Sequence, residues 1–365
     1  LELFINNKQL KYSYLRNFDF GISSKSGTSF LSPYISHGIL TEVEIIKKSL
    51  QKNSIEKIEK FIQEILWRIY WKGWLELRPD VWNDYNQYIN DKKINYLDNE
   101  NYLNAINGNT KIDCFNDWVN ELKNNNYLHN HARMWFASIW IFTFKLPWQL
   151  GANFFLENLY DGDAASNTLG WRWVGGLQTV GKHYLAKSSN IQKYTNNKYQ
   201  NIALNENALP LENKKQYILN NREFINTKLN EDSLLLIFEN NLSFETSEFA
   251  NKNFKKILIV DSMHEHINEN VKKFKRTIIQ DQLIRLKNLS IECEIININE
   301  IIYLKEKIHA LYPCVGSNLD FIKNNKLDNI NFLYRDIDKF SWKYCNKGFF
   351  NFKNYIPKII NQFIN

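Results

Sequence analysis

The hydrophobic period of this chain changes once, and that change limits the folds open to it. Up to about residue 200, apolar residues recur at three- and four-residue spacing through Phe61 to Leu77, Phe115 to Leu122, Ala132 to Phe144 and Phe154 to Leu159. This spacing places an apolar stripe along a helix. Ser32-Pro33, Arg78-Pro79, Asn107-Gly108-Asn109, Leu146-Pro147 and Asp161-Gly162-Asp163 supply the stops between helices. A polar stretch rich in Asn and Lys follows over 201–232 and reads as a linker. Beyond it, Leu234–Phe238, Lys256–Val260, Ile291–Ile296, His309–Tyr312 and Ile330–Tyr334 are short apolar or alternating runs of strand length, with a helical stretch over Asn270–Leu289 among the intervals. Strands alternating with helices predict a mostly parallel sheet. The expected organisation is an all-helical domain over 1–200, the linker over 201–232, and a Rossmann-like α/β domain with a C-terminal tail over 233–365.

Length and composition exclude several classes of protein. A chain of 365 residues with 44% hydrophobic and 23% charged residues can bury two cores without disulfide or metal staples. Its mean hydropathy of -0.46 and the lack of a long apolar run argue against a membrane span. Cys114, Cys293, Cys314 and Cys345 are too scattered for a disulfide framework or a Cys-x-x-Cys metal site, so a reducing cytoplasm is the expected setting, with no metal site. A net charge of +7 suits a polyanionic partner, although a Lys- and Asn-rich coding bias would produce the same excess. The aromatic residues are more informative: ten of the 11 Trp fall between Trp67 and Trp173.

Three segments in that Trp-rich region combine residue types that are costly to bury together. In Phe61 to Trp74, the residues Glu64, Trp67, Arg68 and Trp71 stand at i, i+3, i+4 and i+7, on one helical face. A surface Glu–Arg pair beside core tryptophans would give the same pattern. In Tyr127 to Phe136, Asn130, Arg133 and Met134 share a face, while His129 and His131 diverge and make a poor metal pair. In Asp161-Gly-Asp-Ala-Ala-Ser-Asn-Thr-Leu-Gly-Trp-Arg-Trp173, two carboxylates flank a glycine, small residues let a planar group approach the backbone, and Asn167 precedes a Trp-x-Trp pair. A capped helix start explains the Asp and Ser of this string but not the whole of it.

Taken in order, Thr28-Ser-Phe-Leu-Ser-Pro-Tyr34, Glu64-x-x-Trp-Arg68, His129-Asn-His-Ala-Arg-Met134 and Asp161-Gly-Asp through Trp171-Arg-Trp173 resemble the FAD-binding domain of the DNA photolyase and cryptochrome family. The resemblance covers about residues 10 to 200. It implies FAD held by Tyr12, Thr28, Ser29, Leu31, Ser32, Arg68, Asn130, Asp161, Asp163 and Asn167, with Arg133 bridging to Asp161 and Asn167 facing the flavin. Small hydroxyls and free backbone N–H groups suit a pyrophosphate. The resemblance further implies a deoxyribodipyrimidine photo-lyase. In such an enzyme Glu64, Trp67, Asn130, Met134 and Trp173 would surround a cyclobutane pyrimidine dimer flipped out of damaged DNA. The family's (6-4) enzymes typically carry histidines at the positions of Asn130 and Met134, which argues for the cyclobutane type.

Trp171 and Trp148 match the proximal and middle places of the family's electron chain, and the distal place falls on Tyr96 or on another aromatic such as Trp82. A blue-light receptor using the same flavin is the alternative. Members of the family usually begin with an α/β antenna domain, whereas here the α/β pattern comes second, an order resembling circular permutation. Phe238-Glu-Asn-Asn-Leu242 echoes the usual opening of the antenna domain only weakly. No antenna chromophore is assigned to the α/β half, and the chain is expected to act as a monomer away from membranes. Three of the four cysteines lie outside the helical half, so an iron–sulfur cluster is not expected.

Overall fold

The structure, a computed structural model, describes residues 1–22, 26–212, 215–229, 232–263 and 266–364. Its helices include α1 (Ile55–Glu76), α2 (Asp80–Lys92), α3 (Glu100–Asn107), α4 (Asp113–Asn125), α5 (Asn130–Ser138), α6 (Trp148–Asn158) and α7 (Ala164–Val174). A parallel sheet follows, with β1 (Leu234–Ile237), β2 (Lys256–Asp261), β3 (Cys293–Asn297), β4 (Ile308–Leu311) and β5 (Ile330–Leu333). The expected strands are all present, and the helical stretch between the second and third is α8 (Glu269–Asn288).

The described chain divides into two compact units. One comprises Leu1–Phe30, Ser49–Glu64 and Asp80–Ile218; the other comprises Leu31–Lys48, Ile65–Pro79 and Leu219–Asn365. This partition differs from one cut over 201–232. The segments Leu31–Lys48 and Ile65–Pro79 group with the sheet, where Glu42 meets Arg335 and Glu76 meets Tyr312 and Val315. Helix α1 runs through both units, with Phe61 and Ile62 buried in its first part and Leu66 and Ile69 in its second.

In the helical unit, each functional segment begins at a helix start fixed by a side chain. The Asp163 carboxylate accepts the Ser166 N–H at 2.8 Å and starts α7, and the His129 ring accepts the His131 N–H at 3.2 Å and starts α5. Helix α5 runs on into a widened π turn over Ile139–Thr143, the kind of irregularity that often accompanies functional sites. Gly151 lets α6 and α7 approach closely, since a Cβ there would lie 2.2 Å from Cη2 of Trp171.

In the sheet unit the strand order is β3-β2-β1-β4-β5. Alternation along β1 and β2 sends Leu235, Ile237, Ile257 and Ile259 to one face with α8, and Leu234, Leu236, Leu258 and Val260 to the other. The order reverses between β1 and β4, where doubly wound sheets place ligands beyond the strand ends. Here that crevice is filled by the chain itself. Glu239 accepts from Lys275 Nζ at 2.6 Å and Ser262 Oγ at 3.0 Å, and Asn240 and Asn241 donate to the carbonyls of Pro313 and Tyr312. Gly38 (φ +64°) is part of this packing, because a Cβ would sit 2.6 Å from the Asn240 carbonyl oxygen. From α1, Glu76 accepts the Tyr312 hydroxyl at 2.8 Å and the Val315 N–H at 2.6 Å.

Candidate flavin site

The helical unit gathers most of the residues singled out above. Arg133 Nη2 lies 3.0 Å from the Asp161 carboxylate, and its Nε donates to the Leu128 carbonyl at 2.8 Å, so the guanidinium is fixed by both its loop and its partner. Asp161 is 5% exposed. The Asn167 amide nitrogen donates to the Ala152 carbonyl at 2.8 Å, which orients the amide and leaves its oxygen as the acceptor. The hydroxyls of Ser166 and Thr168, on either side of Asn167, are buried without a hydrogen-bond partner among the described residues. Asn130 is exposed at the start of α5, and Met134 and Trp173 are half-buried. Trp173 stacks on Tyr184 at 5.8 Å between ring centroids.

Glu64 has a partner that its motif did not reveal. Arg16 Nη1 lies 2.5 Å from Glu64 Oε1, in a contact 48 residues apart in sequence. Burial raises the Glu64 carboxyl above the ordinary range, and Arg16 and Lys60 offset only part of that rise. Tyr12, packed edge-on against Phe61 at 5.3 Å, is raised by burial and then by the Glu64 charge. At the expected phosphate turn the Ser26 and Thr28 hydroxyls are 2.9 Å apart, and Phe30 takes a left-handed φ of 55° with its ring against Tyr127. A bulky residue in that conformation is uncommon and marks a constrained turn.

The sheet unit holds the remaining candidates. Arg68 Nη1 donates to Ser36 Oγ at 2.9 Å, Leu31 is buried, and Ser32 opens a short helix, Ser32–Ser36. Trp67 stacks face to face on Phe349 at 3.6 Å, with 9° between the planes. Nothing in the sequence around either residue signals that contact. Trp148 is buried in the helical unit beside Tyr85, and Trp171 lies against Phe155 and Trp140. Among the described residues, no group of three or more His, Cys, Asp and Glu is placed to hold a metal ion, and no helix is long and apolar enough to cross a membrane.

A paired Arg133–Asp161, a fixed amide at Asn167 and two buried hydroxyls without partners among the described residues are polar groups suited to a planar heteroaromatic ligand. Residues 61–203 match the family model described as the FAD binding domain of DNA photolyase. This segment of the chain is similar to the FAD-binding domain of DNA photolyases, and FAD is the cofactor that the match supports.

Similar proteins include the deoxyribodipyrimidine photo-lyase of Buchnera aphidicola subsp. Baizongia pistaciae, 29% identical over 181 residues, which are 48% of this chain and 38% of that protein. That of Streptomyces griseus is 31% identical over 153 residues, 42% of this chain and 33% of that protein. The chain therefore spans about a third of the length of these relatives. Among solved structures, a class III photolyase of Agrobacterium tumefaciens matches 53% of this chain and 40% of its own, at 24% identity and a TM-score of 0.42. A Synechocystis cryptochrome matches 53% and 42%, at 20% identity and a TM-score of 0.44.

Proposed function

We propose that this protein is a light-dependent DNA repair flavoprotein that splits cyclobutane pyrimidine dimers. The observation that carries the reading is Glu64: a carboxyl raised by burial and paired with Arg16, on the helix that also carries Trp67 and Arg68. FAD, when bound and reduced, supplies the electron that light makes available. In its acid form such a carboxyl can share its proton with a pyrimidine carbonyl as negative charge develops there, and Arg16 keeps that carboxyl from turning away.

Asp161 and Arg133 are proposed to hold the flavin edge, with Asp163, Asn130, Tyr12 and Arg68 as further contacts, and Asn167 to present its amide oxygen to the ring. Thr28, Ser29, Leu31 and Ser32 are proposed to bind the pyrophosphate. Trp173, backed by Tyr184, offers a face for base stacking, which offsets the cost of unstacking a damaged step at about 1–3 kcal/mol per base. Asn130 and Met134 would read the dimer's edge and face.

One observation favours the blue-light receptor as a second reading: Phe349 covers a face of Trp67, the ring that the lyase reading assigns to stacking on the lesion. A single assay separates the two. Protein whose flavin has been chemically reduced is mixed with a thymine-dimer oligonucleotide, in blue light and in darkness. Light-dependent restoration of thymines is the expected outcome. Bound, reduced flavin without repair would overturn the lyase in favour of the receptor.

A further inference from the structure

The helical unit contains more oxidisable rings than a flavin site needs, and they form two branches. Trp171, 2% exposed, packs against Phe136, Trp140 and Phe155 at 6.3, 6.1 and 5.1 Å between centroids. Of these three neighbours only Trp140 is readily oxidised. The missing side chain of Gly151 makes room for both indoles, since a Cβ there would lie 2.2 Å from Trp171 and 3.0 Å from Trp140. From Trp140 the rings continue edge-on to Tyr102 at 5.9 Å and then to Tyr96 at 6.2 Å. Tyr96 is half-exposed and hydrogen-bonded to Tyr88, which is also half-exposed. The other branch starts at Trp148 and runs to Tyr85 at 5.9 Å and Trp82 at 5.1 Å.

Two observations separate the branches. The Arg172 guanidinium, itself 4% exposed, lies 5.9 Å over the Trp148 ring. A ring that has given up an electron is cationic, and a buried cation on its face raises the energy of that state. Tyr85 carries a buried hydroxyl with no hydrogen-bond partner among the described residues, so its proton has nowhere to go when the ring is oxidised. On the first branch, the Trp140 indole N–H donates to the Pro147 carbonyl at 2.9 Å, and Tyr96 reaches solvent, where a phenolic proton can leave. Glu157 faces Tyr85 and Tyr102 alike and does not discriminate.

We infer that when light draws an electron from Trp171, it is replaced from Tyr96 through Tyr102 and Trp140, and not through Trp148, the residue to which the resemblance gave the middle place. The inference rests on the flavoprotein reading above but not on the choice between lyase and receptor. One electron leaves Tyr96 for each one delivered, and the hydroxyl proton of Tyr96 passes to water. A small thiol in solution then returns one electron to the tyrosyl ring, which recovers its proton from water.

The test uses the whole flavin-loaded chain with its flavin oxidised. Flavin content is read first from absorbance, and blue-light photoreduction in the presence of a thiol is then timed. Radicals are identified by transient absorption and electron paramagnetic resonance. Trp140→Phe is expected to slow photoreduction tenfold or more, and Tyr96→Phe to replace a tyrosyl signal with a short-lived tryptophanyl one. Tyr85→Phe should stay within about twofold of the parent. Slow photoreduction in Tyr85→Phe with normal rates in Trp140→Phe and Tyr96→Phe would overturn the route. If Trp140→Phe fails to hold flavin, Tyr102→Phe, which keeps the ring and removes the hydroxyl, decides in its place by the same tenfold criterion. Dimer splitting by chemically reduced protein does not need the relay. Its failure therefore tells against the lyase and leaves the relay standing, whereas a parent protein that holds no flavin overturns both.

Discussion

The two units treat buried charge in opposite ways. In the sheet unit, Arg335 lies 2.9 Å from Glu42 and makes a bidentate contact with Asp338 at 2.7 and 2.9 Å, while Glu239 takes both Lys275 and Ser262. Burial alone would raise these carboxyls, yet Arg335 and Lys72 bring Glu42 down to about 2, and Lys275 and His37 do the same for Glu239. In the helical unit the balance tips the other way. Glu64 stays raised despite Arg16, burial and the Asp19 charge push Glu121 up to about 7, and burial pushes His129 down to about 4. Buried hydroxyls at Ser166 and Thr168 lack hydrogen-bond partners among the described residues. The sheet unit's ion pairs are complete as the chain folds. Both units leave some buried polar atoms without a hydrogen-bond partner among the described residues, Ser341 and Asn318 in the sheet unit among them, so the contrast lies in the carboxyls: lowered at Glu42 and Glu239, raised at Glu64 and Glu121.

The strongest way to break this comparison is Arg335→Ala. It would strand Glu42 and Asp338, both buried, without their shared cation. Removing one partner of a buried pair costs about 3–5 kcal/mol. The urea midpoint of the variant should fall accordingly, and a loss under about 1 kcal/mol would mean that the sheet unit's charges are not its framework. Flavin absorbance, measured on the same samples below the transition, shows whether the damage stays within the sheet unit.

Glu76 is the exception that sharpens the contrast. It belongs to the sheet unit but is bonded by Tyr312 and Val315, with no salt bridge among the described residues, and burial raises it to about 7. A carboxyl raised on folding favours the native state below its unfolded pKa, and that contribution is lost as pH climbs from about 4.5 through about 7. Glu42 and Glu239, lowered on folding, do the reverse and lose their contribution as pH falls from 4.5 towards 2. Glu76→Gln should therefore remove a destabilisation on the order of 3 kcal/mol at pH 8 and about 1 kcal/mol or less near pH 5. Urea denaturation across that range checks it, and a variant that is equally weakened at both ends would show that Glu76 is needed ionised.

How much of this was legible in the chain depends on the range of the interactions. The strands and helices follow from local periodicity, and β1, β2 and β4 fall within a residue or two of their apolar runs because parallel strands buried on both faces read as continuous hydrophobic stretches. The Arg133–Asp161 pair and the Asp163 cap were likewise visible, since resemblance named the first and the helix start supplies the second. Contacts between distant segments were not. Arg16 carries no local mark that joins it to Glu64, Phe349 sits in an unremarkable tail, and the grouping of Leu31–Lys48 and Ile65–Pro79 with the sheet depends on Glu42, Gly38 and Glu76 finding partners far along the chain. The aromatic composition showed that tryptophans cluster, but only ring-to-ring distances show that Trp171 meets Trp140.

The smallest expected effect concerns the Arg16–Glu64 ion pair of the helical unit. Arg16 and Glu64 are each roughly a quarter exposed, with side-chain exposures of 24% and 29%, so solvent screens the pair and its removal should cost little stability. Its effect on protonation should be easier to see. Arg16→Gln removes the cation that pulls the Glu64 carboxyl down, so the acid form persists to higher pH. If that acid form shares its proton with the lesion, the alkaline limb of the light-dependent repair profile moves to higher pH, while flavin content stays at the parent's level. A fall in repair that is uniform across pH would make Arg16 a holder of the Glu64 side chain and nothing more. An unchanged profile would remove Glu64 from the proton inventory, and with it the residue on which the distinction between the two units most depends.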